Sequence, residues 1–267
     1  MILRTLIGAF AAILVSGNAW ALPLQVTVSN QQKPGGFYFT PTWVGFHDGG
    51  FDYFDSGMSA SAELEALAEG GDVSPLRSTL GTNGDGTARV DYVLTAPNGF
   101  PGAPIFDPGD SATQMVDVAN PASNRFLSFG AMVIPSNDAF FGNDNPMAYE
   151  VFDSSGMFTG PITIGIYGDA IYDSGTEMNN GKGAAFSALA GMDTPEMGVV
   201  GPSDGLGVFA GTETAAGTTI NYGIGSGDLL ATVTVTDPSA VPEPSTLAIW
   251  GMLGLIGVVI HRKRQLN

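Results

Sequence analysis

The spacing of hydrophobic and polar residues predicts a chain built mainly from β-strands. Apolar and polar residues alternate in residues 24–30, 87–95 and 113–118, and again in Leu229–Thr236. Such alternation places one row of side chains in a core and the other row in solvent. Phe126–Ile134 is instead apolar almost throughout and carries no charge, as expected of a strand buried on both faces. We therefore expect this strand to lie at the centre of the fold.

Residues 59–71 are the one segment that predicts a helix. Ser59 or Ser61 can cap its N-terminus, acids occupy its first turn, and two consecutive glycines end it. Further strand candidates are residues 37–46, 148–152, 162–167, 199–200 and 218–224. Because strands and helices do not alternate, the pattern predicts an all-β fold, namely an antiparallel β-sandwich of about eight core strands with one short helix.

Composition narrows the function classes. The 38 glycines among 267 residues are about twice the usual share of ~7%, which indicates many turns. Cysteine is absent, so disulfides, zinc–thiolate clusters and thiol chemistry are excluded. Residues 22–240 contain 25 acidic and five basic residues, a net charge of −20. This charge disfavours nucleic-acid binding and attracts divalent cations, although acidity can also simply keep an extracellular protein soluble.

Residues 1–21 have the features of a secretory signal peptide. Arg4 supplies the basic start, residues 6–15 are apolar, and the small residues Ala19 and Ala21 predict cleavage after Ala21. The apolar run is too short to span a bilayer by itself. We therefore expect an exported protein, with a retained N-terminal anchor as the alternative.

The C-terminal residues 241–267 predict a second targeting segment. Residues 245–260 are uncharged and mostly apolar, and the basic residues 262–264 follow, which predicts a short, transient membrane anchor with a cytoplasmic end. Together with Pro242-Glu243-Pro244, this order of features resembles the PEP-CTERM sorting signal. The resemblance implies a Gram-negative bacterium and an exosortase, a membrane transpeptidase-like enzyme that removes the tail. It also implies release to the cell surface, the outer membrane or an exopolysaccharide matrix.

Oxygen donors cluster after the central strand and predict a calcium site. The segment that follows Pro135 contains Asn137, Asp138, Asn143, Asp144 and Asn145. Hard oxygen ligands at the end of a rigid strand suit calcium, whereas the alternative is a polar turn that satisfies its own backbone. Asp117, between two valines, needs either solvent or a cation. Asp173 and Glu177 offer further carboxylates on a later loop.

Several short segments resemble the spondin N-terminal domain family, and more closely its bacterial members that carry this domain alone. The segments are Thr42-Trp43-Val44-Gly45 with His47-Asp48, Glu65-Ala66-Leu67-Ala68-Glu69, Ser128-Phe129 with Ile134-Pro135-Ser136-Asn137-Asp138, and Asp173-Ser174-Gly175-Thr176-Glu177. The resemblance extends over roughly residues 24–237 of a domain at 22–240. It implies an eight-stranded sandwich similar to calcium/lipid-binding modules, with one calcium at one end.

The same resemblance implies the metal ligands. It assigns Asp138, a backbone carbonyl near Gly142 and Asp117 as the upstream acid, with Asp144 and Asp173 as neighbours that complete the shell. This chain lacks the cysteines and the thrombospondin-type repeats of the animal members. The receptor roles of those proteins are therefore not implied.

We predict an exported, calcium-binding and non-enzymatic protein of the cell surface or extracellular matrix, with a structural or adhesive role. Its partner would be matrix polysaccharide or a surface protein. The alternative is an extracellular enzyme that acts on polysaccharide through two carboxylates about 5–9 Å apart. His47 is expected at the surface, and Phe140 and Phe141 in the core, with insertion of an exposed pair into a partner groove as the other possibility.

Overall fold

The computed structural model describes residues 20–96 and 103–240. The predicted sorting signal at 241–267 lies outside these residues, as does the predicted signal peptide except for its last two residues. Within the described ranges, no helix is long and apolar enough to cross a membrane.

The described part of the chain forms eleven strands and two α-helices. In chain order they are β1 (Ala21–Asn30), β2 (Tyr38–Phe39), β3 (Thr42–His47), α1 (Ala62–Gly70), α2 (Ser74–Thr79), β4 (Val90–Leu94), β5 (Ser111–Ala119), β6 (Phe126–Ile134), β7 (Ala139–Gly142), β8 (Ile162–Tyr167), β9 (Ile171–Asp173), β10 (Gly201–Pro202) and β11 (Leu229–Thr236). Three short 3-10 turns, Gly168–Ala170, Gly207–Phe209 and Pro238–Ala240, complete these elements.

The strands form two antiparallel sheets that pack together as a β-sandwich, which confirms the predicted fold class. One sheet has the order β5-β1-β11-β8, and its strands show the predicted alternation of buried and exposed residues. The other sheet has the order β10-β9-β7-β6-β3-β4, with the short β2 also paired to β6. The order of strands along this second sheet brings the β6–β7 turn close to the end of β9.

The central position of β6 follows from its composition. Eight of its nine residues are buried, because the inner face of its sheet packs on the other sheet and the outer face is covered by α1, α2 and an aromatic loop. Successive residues of the neighbouring strand β3 point to opposite faces of the sheet: Trp43 packs on the outer side and Val44 on the inner side. The sandwich therefore has a third, partly helical layer over its larger sheet.

The helix prediction is right for α1 and incomplete for the rest. The Ser61 hydroxyl accepts a hydrogen bond from the Leu64 backbone N–H at 3.2 Å, and Gly71 ends the helix in the left-handed region at φ 63°. The second helix, α2, contradicts the prediction of a single helix. It is only six residues long and is held by buried Leu76, so its local sequence gives a weak signal.

Two predicted strands are not present, and the one predicted at residues 199–200 lies two residues later as β10. Residues 148–152 make only isolated bridges, although Val151 and Phe152 are fully buried. Residues 218–224 likewise contribute one bridge, between Glu213 and Thr219. Each segment places two apolar side chains in the core as ordered coil, Val151 and Phe152 in one and Ile220 and Ile224 in the other. Spaced apolar residues alone do not distinguish such coil from a strand.

Candidate functional site

Asp138 lies in the tight turn between β6 and β7. The Ser136 hydroxyl accepts a hydrogen bond from the Ala139 backbone N–H at 3.0 Å, which closes the turn and directs Asp138 inward. The Asp138 side chain has no exposed surface. Its Oδ2 accepts hydrogen bonds from the Ser174 hydroxyl, the Thr176 N–H and the Glu177 N–H, and its Oδ1 accepts one from the Asn179 amide. Asp138 therefore fixes the loop that follows β9.

Asp173 is brought beside Asp138 by strand pairing. β7 pairs with β9, and Ala139 lies opposite Asp173 in this register. The Asn179 Nδ2 donates to both carboxylates, at 2.9 Å to Asp138 Oδ1 and at 2.8 Å to Asp173 Oδ2. We call these two acids the rim pair. A single neutral donor thus holds together two groups that repel each other when both are ionised.

The proximity of the two acids affects the pKa of Asp138, the more deeply buried of the two. Burial of the carboxylate, together with repulsion from Asp173, raises the pKa of Asp138 to about 6. The hydrogen bonds from Glu177, Ser174 and Thr176 act in the opposite direction but are outweighed. None of the three ion pairs among the described residues includes Asp138 or Asp173.

The other three predicted ligands do not join the rim pair. Asp117 is exposed on β5, in the four-stranded sheet, where it lies opposite Pro23. Gly142 lies at the far end of β7, roughly 13 Å from Asp138 at 3.3 Å per residue. Asp144 accepts a hydrogen bond from the Ser56 N–H at 3.2 Å, in a different loop cluster. The structure therefore does not bring the five predicted ligands to one point. Strand order places Asp117 in the other sheet, and the length of β7 separates Gly142 and Asp144 from Asp138.

A smaller donor set at the rim pair fits a hard cation. Asp173 Oδ1 accepts one hydrogen bond from Gly175 N–H and Oδ2 one from Asn179, so each oxygen retains acceptor capacity. Asp173 and Asn179 line a cavity of about 460 Å³ with Ser203 and Asp204, which we call the Asp173 cavity. The carboxylates of Asp173 and Asp204 and the hydroxyl of Ser203 are oxygen ligands of the kind that calcium prefers, whereas the Asn179 Oδ1 already accepts a hydrogen bond from the Asn137 N–H. In the described ranges, however, no group of three or more His, Cys, Asp or Glu side chains can hold a metal.

Sequence reasoning did not identify Asn179, Ser203 or Asp204. Asn179 follows the Asp173–Glu177 segment by two residues, so the run of polar residues there was the available signal. The position of β10 beside β9 is what brings Ser203 and Asp204 to the cavity.

His47 and the aromatic pair are buried rather than exposed. His47 has no exposed surface, which contradicts its predicted surface position. Its Nδ1 accepts a hydrogen bond from the Gly49 N–H, so its Nε2 carries the proton and donates to the Ser128 hydroxyl at 2.9 Å. Burial, followed by repulsion from Arg89, lowers the pKa of His47 to about 4. Phe140 and Phe141 are fully buried, as predicted for core residues.

Comparison with known proteins adds no family assignment. No protein-family model matches this chain, and a search of curated proteins finds no match. Membership of the spondin N-terminal domain family and the PEP-CTERM signal stay predictions that rest on the resemblance of short segments.

Proposed function

We propose that this is an exported, non-enzymatic protein of the bacterial surface or extracellular matrix, stabilised by calcium bound beside the rim pair. The observation that carries the proposal is the pairing of Asp138 and Asp173 through one shared amide at the edge of a cavity lined by oxygen donors. The predicted signal peptide and sorting signal support the location. The resemblance to the spondin N-terminal domain supports the structural or adhesive role.

The proposed cation would lie beside two carboxylates, Asp138 and Asp173, that repel each other. Asp173, Ser203 and Asp204 would hold calcium on the cavity side, while Asp138 stays behind them and accepts a hydrogen bond from Asn179. Calcium would supply the positive charge that Asn179 cannot, and would offset the repulsion between the two acids. Because the loop after β9 is ordered only in the folded chain, binding adds to the free energy of unfolding.

The geometry gives less support to the alternative of a polysaccharide-acting enzyme. Asp138 is fully buried and accepts four hydrogen bonds, so it has no surface from which to contact a sugar. A pair of catalytic carboxylates must both reach the scissile bond or its attacking water. The rim pair offers only one accessible acid, which is consistent with binding rather than hydrolysis.

Thermal unfolding of the purified protein in EGTA and in millimolar calcium tests the proposal. If calcium is present at about 100 times its dissociation constant, we expect Tm to rise by roughly 5–10 °C. Asp173→Asn removes a charged ligand and should abolish most of this rise. Asp117→Asn is the matched control, since this exposed acid lies on the other sheet and its substitution should preserve the rise. Identical unfolding curves with and without calcium would contradict the proposal.

The adhesive role needs a separate measurement. Purified exopolysaccharide from a Gram-negative matrix is incubated with the protein in calcium and in EGTA, and the bound fraction is determined by sedimentation. Calcium-dependent retention supports adhesion to polysaccharide. Calcium-dependent stability without retention instead supports a structural role, or adhesion to a surface protein.

A further inference from the structure

Three of the four strands at the edges of the sheets are blocked against pairing with another chain. The edge strands are β5 and β8 in one sheet and β4 and β10 in the other. On β5, the Tyr92 hydroxyl donates to the Asp117 carbonyl at 3.1 Å and accepts from the Asp117 N–H at 2.9 Å. β4 carries Asp91, which is paired with Arg77, and the two-residue strand β10 contains Pro202, which has no N–H. Charges, prolines and covering side chains are the usual means by which proteins block a sheet edge.

β8 has none of these features. Its sequence is ITIGIY, without charge or proline. In the described part of the chain, β11 is the one strand that pairs with β8, and no side chain forms a hydrogen bond with the β8 backbone. Thr163 is exposed, and so is Tyr167, at 44%. β8 therefore presents an open edge.

Hydrogen bonds at the end of β1 show which residues of the sheet bond to which neighbouring strand. The Gln31 N–H donates to a β11 carbonyl at 2.8 Å, and the Asn30 N–H donates at 2.8 Å to the Asp110 carbonyl, beside β5. Neighbouring residues of an antiparallel strand direct their backbone groups to opposite sides. Odd-numbered residues of β1 therefore bond to β11, as Thr27 does to Thr234.

The strand register extends this alternation to β8. Val233 precedes the threonine that bonds to β1, so it bonds to the other side, to Ile164 of β8. Thr163 and Gly165, the neighbours of Ile164, therefore direct their N–H and C=O groups to the open edge, and Tyr167 directs its N–H there. None of these groups has a hydrogen-bond partner among the described residues.

We propose that β8 pairs with β8 of a second copy of this chain, antiparallel about a two-fold axis at Gly165, which joins two four-stranded sheets into one sheet of eight strands. In this register the two Gly165 residues exchange N–H···O bonds, and each Tyr167 N–H donates to the Thr163 carbonyl of the other copy. A side chain at position 165 would come within 2.7 Å of the Tyr167 ring, so this ring lies over Gly165. The axis therefore brings the two Tyr167 rings side by side.

A second copy fits this edge for two reasons. Residues 22–240 carry a net charge of −20, so two copies repel each other over most of their surface, whereas at the uncharged β8 they meet without opposing carboxylates. Pairing about a two-fold axis also consumes both open edges. The joined sheet then ends in β5 on each side, where Tyr92 blocks further pairing, so assembly stops at the dimer.

Sedimentation velocity of the purified protein in EGTA, over a range of concentrations, tests the proposal. We expect monomer and dimer with no larger species. Raising the salt concentration from about 0.1 M to about 1 M shortens the Debye length from about 10 Å to about 3 Å, so the dimer fraction should rise. Asp173→Asn should dimerise as the wild type does, because Asp173 lies in the other sheet, and this separates the dimer from the proposed calcium site.

Two positions in one row across the sheet give matched variants. Gly165 of β8 lies opposite Thr232 of β11, on the solvent side of the sheet. Gly165→Lys places two lysines next to each other at the two-fold axis and should weaken the dimer at least tenfold. Thr232→Lys adds the same charge on an interior strand and should dimerise as the wild type does. Thr163→Pro removes an edge N–H but no bond to β11, and it should also weaken the dimer at least tenfold. Melting curves of all variants report on folding.

Amide hydrogen exchange of the wild-type protein locates the interface without any substitution. The amides of Thr163, Gly165 and Tyr167 should exchange at least tenfold more slowly at a concentration where the dimer predominates than at one where the monomer predominates. The amide of Met115, on the β5 edge, should exchange equally at both. A protein that stays monomeric at submillimolar concentration in high salt would overturn the proposal. Equal weakening of the dimer by Gly165→Lys and Thr232→Lys, or protection at β5 instead of β8, would do the same.

Discussion

The two ends of β7 each hold a buried polar network, and the networks differ in charge and completeness. At one end, His47, Ser128 and Asn143 form the His47 network, in which Asn143 accepts from the Phe129 N–H and donates to Ser128 and the Asn145 carbonyl. None of its three side chains carries a buried polar atom without a partner. At the other end, the Asp138 network joins Asp138, Asp173, Asn179, Glu177 and Asn137.

The difference lies in electrostatic balance and in unpaired polar atoms. The His47 network is neutral, since burial lowers the pKa of His47 to about 4, and each of its buried side-chain nitrogen and oxygen atoms has a hydrogen-bond partner. Networks satisfied in this way specify one packing of the core. The Asp138 network has excess negative charge, contains an unpartnered amide oxygen and borders two cavities. Under the proposed function, a bound calcium ion would supply positive charge beside the Asp138 network.

The largest effect is expected from removal of the central acceptor. Asp138→Ala leaves donors from Ser174, Thr176, Glu177 and Asn179 without their shared acceptor. We expect a loss of about 3–5 kcal/mol in the free energy of unfolding, measured by urea denaturation. Asp117→Ala, on the exposed face of β5, should change it by less than about 0.5 kcal/mol. Similar losses in the two variants would show that Asp138 contributes no more to stability than an exposed acid does.

The two networks should respond to pH in opposite directions. The folded chain holds a proton on Asp138 up to about pH 6, whereas the unfolded chain releases it near 3.9, so stability falls as pH rises through this window. The unfolded chain protonates His47 below about 6.5 and the folded chain only near 4, so stability falls as pH decreases through that window. Each contribution is on the order of 2–3 kcal/mol.

Two neutral variants isolate these contributions in calcium-free buffer. Relative to the wild type, Asp138→Asn should become more favourable as pH rises from 4 to 7, and His47→Gln should become more favourable as pH falls over the same range. Urea denaturation at each pH measures the difference. Parallel pH profiles for both variants and the wild type would show that neither group titrates differently in the folded chain.

The smallest expected effects come from a matched pair of buried serines. Ser128 accepts hydrogen bonds from His47 Nε2 and Asn143 Nδ2, so Ser128→Ala leaves two buried donors unpaired and should cost about 2–3 kcal/mol. Ser174 is one of four donors to Asp138, so Ser174→Ala leaves the carboxylate with three partners and should cost about 1 kcal/mol. If Ser174→Ala lowers the free energy of unfolding more than Ser128→Ala does, the Asp138 network depends more on each single hydrogen bond than the His47 network does.

Much of the fold follows from local patterns, but the site does not. The alternation of apolar and polar residues predicted β1, β5 and β11, because a strand buried on one face needs apolar residues only at every second position. The continuous apolar run predicted β6, because this strand is buried on both faces. Of the five predicted ligands, the structure brings Asp138 and Asp173 together. Asp117, Gly142 and Asp144 lie elsewhere, because nearness in sequence or in loop composition does not translate into nearness in space.

The sequence by itself determined an all-β sandwich, a central strand buried on both faces and a strongly acidic surface, since each of these depends on residue type and period. Only the tertiary structure decided which acids meet, because that depends on the order of strands in the sheets. The pairing of β7 with β9 joins Asp138 to Asp173, and the placement of β5 in the other sheet removes Asp117. Long-range strand pairing has no local signature, so the positions of charge and of unmet hydrogen bonds appear only once the sheets have formed.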